Sequence, residues 1–350
     1  MSTQSTPLVV QYLYVHEQGE AFHYPSARSS SSAARVANRY LECTLAQIAS
    51  LRFREVECDL VLATNISDRR ALGRTGEELL EQIESLGVEI LPTVYRHRPG
   101  DGSSTYVSSR YVLDAILTAA EGQPEDRQLW LTDLDCVWVN PGKLFASAPP
   151  APEIGCVFIQ YPPDWDTVGF GEYGRTRKGI GELAAEMGVS GGLPAWVGGE
   201  LLTGTPGALR DLVAASERLD ARLAEQGKFL PTEEQILSLA GALGDVRFRD
   251  LTSVARRVQT GTRHEAPPIE EPLSLGLWHL PGEKGLSLRR AARDICHGRA
   301  ERLRRDLLDP TRMGRRFNVV GTGLPRQLRD DSWIATQRIY GAARSTLSIR

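Results

Sequence analysis

Cysteine is scarce and scattered. The five residues, Cys43, Cys58, Cys136, Cys156 and Cys296, form no CxxC pair and no Cys/His cluster. That excludes a thiolate zinc knuckle or a disulfide framework and points to a reducing compartment. Three of them sit inside apolar runs, where a free thiol behaves as a small hydrophobe. Long hydrophobic runs are missing too: none approaches the ~18 residues that a membrane-spanning helix needs. The N-terminal stretch MSTQSTPLVVQYLYVHEQGE has neither a basic leader nor an extended apolar core, so it does not read as a signal peptide. No charge of either sign dominates. A formal net charge of -3 over 350 residues gives no overall attraction to nucleic acid or to an anionic membrane. The expected setting is cytoplasmic.

Hydrophobic residues make up 41% of the chain and charged residues 24%, as in ordinary soluble globular proteins. The length admits two domains, although α/β folds often hold this many residues as one. Over the first 140 residues, periods of two and of 3.6 alternate. PLVVQYLYV (7–15) reads as a strand. In 33–51, Ala37, Tyr40, Leu41, Leu45 and Ile48 fall along one helical stripe. CDLVLATN (58–65) is a buried strand. TGEELLEQIESLG (75–87) is a helix with Thr75 as its N-cap and Gly87 beyond its end. VEILPTVY (88–95) is a strand and SSRYVLDAILTAA (108–120) a helix. Strand and helix repeating in this way predict a mostly parallel sheet covered on both faces, an α/β/α sandwich of Rossmann type.

Beyond Pro141 the rhythm loosens. A strand is expected at 154–161. A Gly-rich charged loop at 162–179 is long enough for a lid. A short strand or turn leads into a helix within 194–227, a helix that begins with acids covers 231–244, and a last core strand falls within 273–285. From Arg289 to Arg316 ten arginines stand against four acids, largely at helical spacing. They read as a solvated helical face or as a peripheral docking surface for an anionic partner. Almost no aromatics accompany them, which disfavours nucleic-acid stacking. The patch SARSSSSAA (26–34) reads as a loop feeding a helix.

One stretch is chemically odd. LWLTDLDCVWVNP (129–141) is built for burial, yet carries Asp133 and Asp135 two residues apart. If it is one continuous strand, both carboxylates project from the same face, roughly 6–7 Å apart. They would repel and resist desolvation unless something positive stood beside them. A solvated turn between two strands would also accommodate them. At the carboxyl edge of a parallel sheet, where ligands of α/β folds bind, a hard divalent cation shared with substrate phosphates meets the demand.

With these residues in view, the chain resembles the GT-A glycosyltransferases over residues 7–285. Their nucleotide-sugar domain carries D-x-D between apolar runs, often followed by Pro, as in LWLTDLDCVWVNP. WVGGELLTGTPGALRDL (196–212) is similar to the family's strand beside the donor sugar. PTEEQILSLA (231–240) is similar to its acidic acceptor-side segment. LWHLPGEKG (277–285) resembles the H-x-x-G-x-x-K motif of retaining members such as the glycogenin-like and bacterial lipopolysaccharide galactosyltransferases. In this chain Lys follows Gly by two residues, no Pro-Trp comes after it, and Gly stands where the family has the Asn of Asn-Ala-Gly. The resemblance implies a catalytic domain over 1–285 with a basic helical extension over 286–350. It implies a hexosyltransferase-type enzyme that takes a nucleotide-sugar, UDP by family frequency, to an unidentified acceptor hydroxyl. Asp133, Asp135 and His279 would be the metal ligands, and carboxylate with imidazole suits Mn²⁺ better than Mg²⁺. Tyr12, Asn65, Arg110, Asp133, Gly282 and Lys284 would bind the nucleotide, with Lys284 neutralising the departing diphosphate. Glu200, Glu234 and Gln235 would face the sugar or acceptor in catalytic roles. The His279 segment implies retention, while Glu234 or Glu200 as a carboxylate base would allow inversion.

Two other readings use the same residues. DLDCV resembles the D-x-D-x-[T/V] signature of haloacid-dehalogenase-type phosphatases, with Asp133 as nucleophile, although that family sets the motif near the N-terminus and a later acid pair at a strand end. Here the only late Asp–Asp pair is Asp330–Asp331. A non-catalytic nucleotide-binding relic of the GT-A fold would suit the departures noted above. Three motif matches are set aside. GVSGG (188–192) follows a helical segment where a nucleophile elbow follows a strand. DWD (164–166) lies in a loop, and GTG (321–323) lacks a strand, helix and third glycine.

Overall fold

The structure is a computed structural model that describes residues 5–17, 33–98, 107–159, 177–189, 193–260 and 271–320. The alternation expected for the first half is present as β1 (Leu8–Leu13), α1 (Ala33–Arg52), β2 (Asp59–Thr64), α2 (Gly73–Ser85), β3 (Val88–Pro92), α3 (Tyr111–Ala120) and β4 (Leu129–Thr132). There follow β5 (Cys136–Trp138), α4 (Pro141–Phe145), β6 (Ile154–Phe158), α5 (Arg177–Glu186), β7 (Val197–Gly204), α6 (Pro206–Glu225), α7 (Glu233–Leu243), β8 (Phe248–Asp250), β9 (Ala255–Arg257) and β10 (Leu277–His279). The arginine-bearing stretch forms α8 (Ser287–Cys296), α9 (Ala300–Leu308) and α10 (Pro310–Arg316).

Seven strands form the central sheet in the order β3-β2-β1-β4-β7-β6-β8. All run parallel except β7, which opposes both β4 and β6. The expected mostly parallel α/β sandwich is the observed architecture. Alternation along the strands feeds two cores. Val9, Leu13 and Trp130 pack with α1 and α2 on one face. Leu8, Val10, Leu129 and Leu131 pack with α3, α6 and α7 on the other. Residues of α8, α9 and α10, including Leu288, Ile295, Leu303, Leu307 and Met313, belong with Phe317 just past α10 to the same core as α1. Leu288, Leu303, Leu307 and Met313 are fully buried, so the helices that carry the arginines turn an apolar side inward.

Three features place the site. The chain leaves β3 at one edge and re-enters at β4 beside β1. The β1/β4 crevice is therefore where the strand order reverses and where ligands of open α/β sheets bind. Because β7 runs backwards, its first residues lie at the carboxyl end of β4, with Leu201 opposite Thr132. A second sheet, in the order β5-β10-β9, stands at that same edge, with His279 opposite Cys136 on one side and Arg257 on the other.

Several boundaries differ from the sequence expectation, for identifiable reasons. Residues 129–141 are not one strand. β4 ends at Thr132, the carbonyl of Asp133 accepts the Cys136 N–H at 3.3 Å across a turn, and β5 joins the other sheet. Apolar residues on both sides of the turn hide the change of partner. Helix α2 begins at Gly73, following a 3₁₀ turn whose Asp68 accepts the Arg70 N–H, so Thr75 lies inside the helix rather than capping it. Gly87, at φ +75, does follow its end. The stretch read as a short strand or turn near 194 is an eight-residue strand, β7, buried along its whole length. The last core strand has only three residues. Most of the expected lid (162–179), the Ser-rich patch before residue 33, the DWD and GTG matches, and Asp330–Asp331 lie outside the described residues.

Candidate functional site

Asp133, Leu134 and Asp135 form the turn between the two sheets, and both neighbours hold it. The Asp133 N–H donates to the Glu200 carbonyl at 3.1 Å, and the Asp135 carbonyl accepts the Leu280 N–H at 2.9 Å. The acids therefore converge without sharing a strand face. Together with His279, each offers one ligand atom, and the three atoms lie within 4.8 Å of one another. His279 Nε2 is 3.1 Å from Asp135 Oδ2 and 3.5 Å from Asp133 Oδ2. Lys284, carried on the turn after β10, brings Nζ to 3.2 Å from Asp135 Oδ2, with the ammonium 5.1 Å from the centre of the Tyr40 ring. The Tyr12 hydroxyl, at the end of β1, donates to Asp133 Oδ1 at 2.8 Å.

A second group of charges lies behind His279. Its Nδ1 is 3.7 Å from Glu200 Oε1. Arg257 joins Glu200 at 3.0 Å to Glu234 at 2.8 Å, and Trp196 Nε1 donates to the other oxygen of Glu234 at 2.9 Å. Glu200 is fully buried, so this charge is sustained only by its partners. Two glycines make room. A Cβ on Gly198 would overlap the Glu200 carboxylate, and one on Gly199 would overlap that of Glu233.

The electrostatics follow from burial and from these pairs. Burial, then the charge of Asp135, raises Asp133 above the ordinary carboxylate value. Burial acts on Asp135 in the same direction, but Lys284 and His279 outweigh it and hold Asp135 well below that value. Glu200 is likewise lowered to about 2, Arg257 and His279 overcoming its burial. His279 is pushed up to about 9, because Asp135 and Glu200 more than offset desolvation. Among the described residues, no cation is paired with Glu233. Burial and then the neighbouring charge of Glu234 raise it to about 8.

The residues fit a divalent cation. Two carboxylates and an imidazole form a mixed oxygen and nitrogen donor set of the kind that Mn²⁺ takes. Among the described residues, Glu200 Oε1 and His279 Nδ1 are buried atoms without a hydrogen-bond partner, a costly arrangement that a small ring rotation on binding a cation would resolve.

The other residues singled out in the sequence are distributed unevenly. Lys284 and Tyr12 touch the acid pair directly, and Gly282 belongs to the 3₁₀ turn Pro281–Glu283 that precedes Lys284. Asn65 reaches the same edge of the sheet, but its amide is spent on the backbone of Val15, accepting at 2.7 Å and donating at 2.8 Å. Arg110 is buried in an ion pair with Asp220 on α6, and among the described residues it is bonded to neither Asp133 nor Asp135. Gln235 caps α7 in a capping box with Thr232 and is buried there. Sequence reasoning missed Arg257, whose three-residue strand carries no periodic signal. It also passed over Glu283, a fully buried carboxylate that accepts from Thr260 at 2.6 Å, Asn318 at 3.1 Å and Ser287 and so braces the turn bearing Lys284.

Neither the protein-family models nor the curated proteins hold a match to this sequence. Among solved structures, the chain is similar to the galactosyltransferase LgtC in complex with donor and acceptor sugar analogues, at 10% identity and a TM-score of 0.45, covering 83% of this chain and 95% of that one. Mouse xyloside xylosyltransferase 1 matches at 13% identity and a TM-score of 0.46, over 79% and 97% of the two chains. The bifunctional glycosyltransferase WbbM matches at 12% identity and a TM-score of 0.48, over 84% of this chain and 50% of its own.

Proposed function

We propose that the protein is a GT-A-type, metal-dependent glycosyltransferase that moves a sugar, a hexose by resemblance, from a nucleoside-diphosphate donor to an acceptor hydroxyl. The observation that carries this reading is the convergence of Asp133, Asp135 and His279 at the β1/β4 switch point, with Lys284 beside them. Bound there, a divalent cation would supply the positive charge that the diphosphate oxygens require as the sugar–phosphate bond breaks. Asp133, Asp135 and the Nε2 of His279 would hold it. Lys284 would donate from Nζ to the same oxygens, adding charge without giving up a proton. Tyr12 would keep the Asp133 carboxylate turned into the site through its hydroxyl.

Mn²⁺ and a UDP-sugar are the pair we propose, in a cytoplasmic setting, with retention as the outcome that the His279 segment favours by resemblance. Among the described residues, no helix is long and apolar enough to cross a membrane. Contact of the arginines in 289–316 with an anionic surface is part of the same proposal.

The test is a thermal-shift panel of UDP, GDP, ADP and dTDP, each with and without Mn²⁺, on the wild-type chain and on Asp135→Ala. A ligand at ~100 times its Kd adds about 2.7 kcal/mol. A shift that needs Mn²⁺, selects one nucleotide and vanishes in the variant supports the reading and identifies the donor base. No shift with any nucleotide sinks it. Phosphate-ester hydrolysis abolished by Asp133→Asn would then support the haloacid-dehalogenase-type alternative.

A further inference from the structure

Resting on the metal-site reading above, we infer that Glu200 is not an acceptor-side catalytic carboxylate but the positioning residue that orients His279 for the cation. Three observations lead there. First, the carboxylate is fully buried on the side of the imidazole away from the acid pair, since Nε2 faces Asp133 and Asp135 while Nδ1 faces Glu200. Second, among the described residues Nδ1 and Oε1 are both buried without a hydrogen-bond partner, and they stand 3.7 Å apart, just beyond hydrogen-bond length. A slight ring rotation closes that gap. With Nδ1–H donating to Glu200, the Nε2 lone pair is left pointing at the two aspartates, the tautomer a metal-bound imidazole requires.

Third, Glu200 is itself held from behind. Arg257 lies beside His279 in the small sheet and reaches Glu200 at 3.0 Å. Arg257 is anchored in turn by Glu234, and Glu234 by the indole N–H of Trp196. Gly198 lacks the Cβ that would occupy the place of the Glu200 carboxylate. Four side chains and one glycine thus fix the direction in which a single imidazole points. A base that must meet an acceptor hydroxyl needs an open face, and Glu200 has none.

The experiment uses the full chain and Mn²⁺ alone, following the electron paramagnetic resonance signal of free Mn²⁺ during titration of the wild type, Glu200→Gln and Glu200→Leu. Glu200→Leu removes the acceptor for Nδ1–H and is expected to weaken Mn²⁺ binding by about 10- to 100-fold, the usual loss for an outer-shell partner of a metal-bound histidine. Glu200→Gln keeps an acceptor oxygen, so its loss is expected to be smaller. Long-range ¹H–¹⁵N spectra of the metal-free protein, recorded above about pH 9 where the imidazole is neutral, read the His279 tautomer directly. Protonation at Nδ1 is expected in the wild type and a mixture in Glu200→Leu, a change that mere loss of stability would not produce. Wild-type Mn²⁺ affinity in Glu200→Leu, or an unchanged tautomer, overturns the assignment and leaves the metal site standing. No Mn²⁺ binding by the wild type overturns both. Should Glu200→Leu fail to fold, the Glu200→Gln titration and spectrum decide: unchanged affinity with an unchanged tautomer counts against the assignment.

Discussion

The backbone N–H of Asp133 donates to the carbonyl of Glu200 over 3.1 Å, one residue past the last paired position of β4. That bond is the last link to the central sheet before the chain turns into the small one. It ties the first acid of the pair to the strand that supplies Glu200, while the Asp135 carbonyl is bonded to the strand end that supplies His279. The distance from each acid to its neighbours is therefore set by backbone rather than by flexible side chains, the preorganisation that a charge-stabilising site requires.

Gly198 and Gly199 are expected to differ when changed to alanine. At 198 the new methyl meets a fully buried carboxylate held by Arg257, which has nowhere to move. At 199 it meets Glu233, a half-buried side chain at the start of α7. Overpacking typically costs about 1–3 kcal/mol, and Gly198→Ala should lie at the upper end, with Gly199→Ala clearly milder. Urea denaturation of both variants measures the order. Equal losses would mean that the Glu200 pocket is no tighter than its neighbour.

Much of this was legible in the sequence, and the failures share one cause. Alternating periods exposed β1 to β4 because each of these elements buries a face of its own. The acid pair was conspicuous because its flanks are apolar. Hidden was everything decided by pairing across long separations. β4 and β5 look like one run because both are buried, though in different sheets. Arg110 looks available until Asp220, 110 residues away, comes to meet it. Arg257 lies on a three-residue strand whose register against His279 no local pattern encodes, and Glu200 looks like a sugar-facing acid until that register encloses it.

Metal-free protein should lose stability as pH rises from about 6.5 to about 9. His279 is raised from 6.5 to about 9 by the surrounding carboxylates, so the stability from its proton is full below the lower value and gone above the higher. Glu233, raised from 4.5 to about 8 by burial and then by Glu234, acts with the same sign from a lower starting point. Glu200, lowered from 4.5 to about 2, acts oppositely and only in acid. Denaturation midpoints in chelator across this range should decline, His279→Gln flattening the alkaline part and Glu233→Gln the stretch up to about pH 8. A midpoint that climbs between pH 6.5 and 9 would contradict the charge arrangement around His279.

Asn318 should tolerate glycine better than alanine. Its backbone is left-handed, at φ +56, and its amide donates to the buried Glu283 at 3.1 Å. Both substitutions forfeit that bond, about 1–3 kcal/mol when a buried carboxylate is left short of a donor. Alanine adds the cost of a left-handed conformation, and Asn318→Asp would set one carboxylate against another. The expected order of stability is wild type, Gly, Ala, Asp, read by chemical denaturation. Alanine equal to glycine would mean that the turn relaxes once the bond is lost.

Lys284 offers the sharpest separation of binding from folding. Its ammonium is 3.2 Å from Asp135 and its turn is braced by Glu283. Burial works against its charge, but Asp135, with Tyr40 and Asp133, outweighs burial and raises it well above the ordinary lysine value, so it stays charged. A charged donor to a phosphate oxygen is worth about 1.5–3 kcal/mol, roughly 10- to 100-fold in affinity. Lys284→Met should therefore weaken UDP binding in Mn²⁺ by that factor while leaving uridine unchanged, because uridine carries no phosphate for the ammonium to meet. Isothermal titration of both ligands distinguishes three outcomes. Loss confined to UDP places Lys284 on the diphosphate. Equal loss for both would mean that the turn after β10 has collapsed. Unchanged UDP binding would remove Lys284 from the donor site and leave it as a structural counter-charge to Asp135.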